Sequence, residues 1–257
     1  MKTPTFFTAA PPCTPPPPVL DTLKKVYLFA RQPKQLTREH NVLETKLPLL
    51  FQLTFAELIL RTGLFTGIAL IIGNWETFAA EYSEGFAMDI PLLPLFVSVV
   101  LLAPLTEEVI FRLPLVYSHS FLLVAALTFL FHFCPAFLSA TDMPLLYFAA
   151  ATMLVAILGL WYLRSAKLRA AFRGLWEKHF GTVFYTSTAL FALMHLLNYR
   201  DMDLPLQVLP LLVLPKFIGG FFLGYTRLRL GFGWAVGQHA FNNLISLILL
   251  YGYLMNQ

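Results

Sequence analysis

The chain has 257 residues, 58 % of them hydrophobic and 12 % charged, with a formal net charge of +4. Soluble domains carry about a quarter charged residues, so this balance excludes one and makes lipid the solvent. The two cysteines, Cys13 and Cys134, exclude both a disulfide framework and a CxxC metal site.

The first twenty residues, MKTPTFFTAAPPCTPPPPVL, hold a proline cluster and no apolar region of signal-peptide length. They read as a stiff, solvated, disordered arm. Residues 21–46 are polar and basic, with an interfacial helix expected around LDTLKKVYLFAR. Residues 1–46 are thus expected to form a cytoplasmic tail ahead of a membrane domain over 47–257.

Apolar runs between polar punctuation then follow at 49–72, 91–117, 121–139, 144–163, 180–198, 206–225 and 233–253. A bilayer needs about 20 apolar residues per helix, with every backbone polar group satisfied inside the segment. The expected fold class is therefore all-α, a polytopic transmembrane bundle of about seven spans. Lysine and arginine set its orientation. They crowd the N-terminal tail, the segment 164–178 and the turn at Arg227 and Arg229, whereas Glu76, Glu81, Glu84, Asp89, Asp201 and Asp203 mark the other side. The N-terminus is expected in the cytoplasm. The net charge is a topology signal, so nucleic acid is not an expected partner.

An ionisable group at mid-bilayer costs about 2.5–3.5 kcal/mol on insertion scales, which makes each one a functional candidate. The second run holds Glu107, Glu108 and Arg112, the fifth His195, and the seventh His239, Asn242 and Asn243. Positions i and i+4 share a helix face, so Glu108 pairs with Arg112 and Glu107 looks elsewhere, free to act as a general base. At about 1.5 Å per residue Glu107 and Asn243 lie roughly 15 Å from the cytoplasmic face, His239 roughly 9 Å and His195 roughly 22 Å. Tilt and kinks at Pro94 and Pro104 are expected to absorb the mismatch. Glu57 and Arg61 read as an intrahelical pair, Lys216 as a snorkelling or cavity-lining cation, and His132 as packing.

EExxxR at Glu107, Glu108 and Arg112, FxxxH at Phe191 and His195, and HxxxN at His239 and Asn243 occur in order on three separate membrane runs. In this the chain resembles the CPBP intramembrane proteases. That family, named for CAAX proteases and bacteriocin processing and also called Abi, includes the type II CAAX prenyl endopeptidases. The resemblance covers roughly residues 91–250. It departs from the family pattern in the two extra runs between Arg112 and Phe191, which read as an inserted helical hairpin over 121–163. The resemblance implies an intramembrane endopeptidase in which the first glutamate of the pair is essential.

The residues themselves suit that reading. Glu107, helped by His195, deprotonates a water, and His239 and Asn243 donate to the oxyanion. Arg112 holds Glu108, with Phe191 as structural support. A metal stays open at this stage. Glu107, His195 and His239 supply the three ligands an open zinc site takes, and the family is commonly labelled metalloprotease, but a metal-free glutamate mechanism has also been argued for it and is favoured here. The expected cofactor is therefore none or a single divalent metal such as zinc.

The expected partners are a membrane-associated peptide or protein substrate and the lipid bilayer itself, and the expected location is a bacterial plasma membrane. A non-catalytic membrane scaffold with a protease-like fold is the alternative function, and a proton-coupled transporter a more distant one.

Overall fold

A computed structural model describes residues 17–72, 91–141, 145–199 and 209–254. The proline-rich arm at 1–16 and the acidic stretches within 73–90 and 200–208 lie outside the described residues. Among the described residues all regular structure is helical.

Helix α1 (Val19–Arg31) buries Thr22, Val26 and Phe29, a single face at i, i+4 and i+7. This face is built into the core. The Phe29 ring meets Phe184 edge-on at 4.9 Å and Tyr225 at 5.1 Å. The segment after α1 is tied down as well. Gln35 donates to the carbonyl of Leu115 at 2.8 Å, Arg229 donates to that of Thr37 at 2.7 Å, and Arg229 pairs with Glu39.

A π-helical turn at Val42–Lys46 leads into α2 (Leu47–Ile72). Apolar nearly all round, α2 exposes Phe51, Phe55, Ile59 and Leu70 while burying Leu53, Glu57 and Ile68. An outward row of that kind suits lipid.

The second apolar run is a broken helix: α3 (Leu92–Phe96), a π-helical stretch Val97–Leu102, and α4 (Ala103–Phe111), closed by a 3₁₀ turn at Leu113–Leu115. Pro94 and Pro104, where kinks are expected, bracket a widened helix. Ala103 N–H bonds the carbonyl of Ser98, five residues back. In that register Val99 would receive its bond from residue 104, and Pro104 has no N–H to give.

Helices α5 (His119–Thr141) and α6 (Leu145–Arg164) pack on each other, and α5 also packs on α4. They correspond to the expected hairpin. Its base is held by a polar cluster in which Tyr162 Oη lies 2.6 Å from Tyr117 Oη and 2.8 Å from His119 Nδ1. The basic segment 164–178 is itself helical. Helix α7 (Ala166–Lys178) turns 98° from α6 at Ser165, whose hydroxyl caps it by accepting from Leu168 N–H.

Helix α8 (Phe180–Met194) runs into a 3₁₀ turn at His195–Tyr199, followed by α9 (Leu209–Arg229) and α10 (Phe232–Leu254). The turn between α9 and α10 is two residues long, and Gly231 takes a φ of 118° there, a conformation that favours glycine. Helix α9 packs against α2, α8 and α10 and is the centre of the bundle. Its glycines set the spacing. A Cβ on Gly224 would stand 2.7 Å from the Phe184 ring, so α8 and α9 approach only because it is absent.

By length and composition, Val42–Ile71, Leu92–Leu115 and Phe180–Leu197 suffice to cross a bilayer, and the bent pair Ala149–Arg164 with Ala166–Lys178 makes a fourth candidate among the described residues. The protein is an integral membrane protein, helical throughout the regular structure of its described residues.

Candidate active site

Three chain segments meet at His239. From α4, Glu108 Oε1 lies 3.0 Å from His239 Nδ1 and Glu107 Oε2 lies 3.7 Å from its Nε2. Adjacent residues on α4 point about 100° apart, yet both carboxylates reach the same ring because each addresses a different nitrogen. The two glutamates differ in access. Glu108 is fully buried, whereas the Glu107 side chain is 21 % exposed.

Glu108 makes the expected pair with Arg112, Oε1 to Nε at 3.6 Å. The Arg112 guanidinium lies 3.7 Å over the face of Phe191. Guanidinium groups stack well on ring faces, and a dry site strengthens the attraction. Arg112 Nη1 and Nη2 are buried and have no hydrogen-bond partner among the described residues, so the ring and Glu108 are what hold the charge. Room for this stack comes from α9, where a Cβ on Gly220 would stand 2.9 Å from Phe191 and 3.1 Å from Arg112 Nη2.

Phe191 also touches both imidazoles, its centroid 4.7 Å from His195 and 5.8 Å from His239. His195 lies at the end of α8, where its Nδ1 is 2.8 Å from the carbonyl of Phe191. A carbonyl only accepts, so Nδ1–H donates and the neutral ring keeps a bare Nε2 for other work. Half-buried Lys216, one turn before Gly219 and Gly220 on α9, is within electrostatic reach of His195, Glu107 and Arg61.

Asn243 donates to the carbonyl of Val99 at 2.9 Å. One of its two N–H groups is thus engaged with the widened helix, and the second is the one left for an oxyanion. His132 is exposed on α5.

Sequence reasoning missed a second buried network beside the first. Glu57 is fully buried and pairs with Arg61 at 3.2 Å, as expected of i and i+4, but its carboxylate also accepts from Gln238 and Asn242, each at 2.8 Å. Gln238 in turn accepts from the Thr226 hydroxyl at 2.6 Å. Arg227 was also misjudged, since a cation beside a turn normally lies in solvent. Here it is buried and donates to the carbonyls of Arg112 and Leu113, at 3.2 and 3.4 Å, where α4 ends. The signals were a second i, i+4 polar pair next to HxxxN and an arginine too close to a tight turn to escape the fold.

The side chains do not fit a metal as they stand. Among the described residues no three His, Cys, Asp or Glu side chains converge on a common point. No step is therefore routed through a metal.

Carboxylates and imidazoles gathered inside an apolar helical bundle mark a candidate functional site. The chain belongs to the type II CAAX prenyl endopeptidase Rce1-like family, whose model matches residues 89–245. That is a family of CAAX-type intramembrane proteases. No curated protein and no solved structure matches the chain.

Proposed function

We propose that the protein is an intramembrane endopeptidase that hydrolyses a peptide bond in a membrane-associated protein or peptide, with Glu107 as general base. The observation that carries this reading is His239 set between Glu107 and Glu108. With Nδ1–H given to Glu108, the ring turns Nε2 towards Glu107 Oε2, 3.7 Å away, so a carboxylate stands on either side of the imidazole. Glu107 is the member of the pair that substrate and water reach.

In the proposed reaction Glu107 takes a proton from a water whose other contact is the bare Nε2 of His195, and the oxygen attacks the scissile carbonyl carbon. Protonated His239 and the free N–H of Asn243 donate to the oxyanion that forms. Glu107 then passes its proton to the leaving nitrogen as the C–N bond breaks, giving an acid and an amine. General-base catalysis contributes about 10²- to 10⁴-fold and each oxyanion donor about 10²- to 10³-fold, the scale on which these side chains are to be judged. Arg112 and Phe191 hold Glu108 and the two histidines in place.

The proposed setting is a bacterial plasma membrane crossed seven times, with the N-terminus in the cytoplasm. Support comes from helices at all seven apolar runs and from the placement of the cations along the sequence. The proposed domain organisation keeps a membrane domain over 47–257, with α5 and α6 as an insertion in the family core.

The test compares peptide termini in membranes of cells that express the wild-type chain with those from cells expressing Glu107→Gln at equal abundance. Termini that appear only with the wild type support the reading. Identical termini would overturn it.

A further inference from the structure

The buried network around Glu57 lies on α2, ahead of the family-matched residues 89–245, and no part of the proposed reaction uses it. Its acceptor oxygens meet Gln238 and Asn242, each the residue immediately before a site residue, His239 and Asn243. On an α-helix Gln238 and Asn242 form one i, i+4 face, and His239 and Asn243 form the next, about 100° round the axis. Gripping the first face fixes the rotation of α10, and with it the direction of the second. We propose that Glu57 is a positioning residue that locks the rotation of α10, so that His239 meets Glu107 and Glu108 while Asn243 meets Val99.

The geometry favours rotation over simple packing as what the contact controls. Both Glu57 oxygens are used, one by each amide, so turning α10 either way breaks at least one bond inside a fully buried setting. The grip is itself braced. Thr226 on α9 orients the Gln238 amide by donating to its oxygen, which points the Gln238 nitrogen at Glu57, and Arg61 holds Glu57 from its own helix. A Cβ on Gly219 would stand 3.2 Å from Glu57 Oε1, so α9 leaves room for the carboxylate. The lever is short. His239 Nδ1 to Glu108 is 3.0 Å, and a small rotation of α10 takes it out of hydrogen-bond range.

The inference rests on the proposed protease reading for its activity readout, and a spectroscopic readout stands apart from it. The full chain in detergent, with ¹⁵N-labelled histidine, is compared as wild type, Glu57→Ala, Gln238→Ala, Asn242→Ala and the swap Glu57→Gln with Gln238→Glu. The swap returns a carboxylate to the network: Glu at 238 accepts from Thr226 and from the new amide, whose oxygen accepts from Asn242. His239→Gln identifies the resonance among the six histidines. The truncations are expected to shift the His239 ring nitrogens and to lower kcat more than tenfold with KM within twofold, and the swap is expected to restore both.

If Glu57→Ala does not fold, the two amide truncations carry the same comparison. An unmoved His239 resonance in the truncated variants would overturn the inference, and so would a swap that folds but restores neither signal. Absence of cleavage by the wild type would overturn the protease reading alone, and the histidine resonances would still decide the positioning role.

Discussion

Asn243 supplies Val99 with the hydrogen bond that Pro104 withholds. The widened register of Val97–Leu102 hands the Val99 carbonyl to residue 104, proline offers no N–H, and the Asn243 amide donates across from α10 at 2.9 Å. The asparagine of HxxxN and the helix that carries the glutamates are therefore coupled through one backbone carbonyl.

That coupling is measurable as a double-mutant cycle. Asn243→Ala leaves a half-buried acceptor unsatisfied and is expected to cost about 1–3 kcal/mol of stability. Pro104→Ala gives Val99 an N–H of its own, so in that background the same truncation is expected to cost about 1 kcal/mol less. Unfolding of the four variants in detergent gives the interaction energy, and purely additive costs would contradict the arrangement.

The two adjacent glutamates are expected to fail differently. Glu107→Gln removes a partly exposed base and is expected to lower kcat about 10²- to 10⁴-fold with the melting temperature unchanged. Glu108→Ala strands the buried Arg112 and is expected to cost about 3–5 kcal/mol of stability as well as activity. Turnover of a quenched peptide and thermal unfolding, run on both variants, separate base from brace.

Substituting glycines on α9 and α2 probes the Arg112 stack. Gly220→Ala drives a methyl to 2.9 Å from Phe191 and 3.1 Å from Arg112 Nη2, and is expected to destabilise by about 1–3 kcal/mol. Gly63 and Gly67 meet nothing within 4 Å, so alanine there is expected to leave stability unchanged or slightly raised. Equal melting temperatures for all three variants would mean that α9 does not hold the stack.

Chelation tests the donor set directly. Among the described residues no three His, Cys, Asp or Glu side chains converge on a common point, so activity is expected to survive dialysis against EDTA followed by 1,10-phenanthroline. Loss of cleavage that zinc restores would assign the imidazoles to a metal instead.

Some of this was legible in the sequence for a simple reason. Apolar runs that cross lipid must be helical, and i, i+4 spacing already pairs Glu108 with Arg112 and Glu57 with Arg61. Contacts between helices obey no such local rule. Asn242 stood among the intramembrane polar candidates, but its partner on α2 and that of Gln238 could not be read from spacing, and Arg227 marked only the charge of its turn until the fold brought it to the end of α4. The widened helix was hidden as well, because prolines at 94 and 104 announce a disturbance without saying which hydrogen-bond register it takes.

The carboxylate of Glu57 also has a timetable. Its amide partner Asn242 lies 185 residues further along the chain, and at a synthesis rate of about 5–20 residues per second that residue is made roughly ten to forty seconds later. During that interval a carboxylate that ends fully dry is inserted with Arg61, one turn away, as its nearest counter-charge. The i, i+4 pair thus draws on one stretch of chain, whereas the Asn242 bond needs the last helix as well.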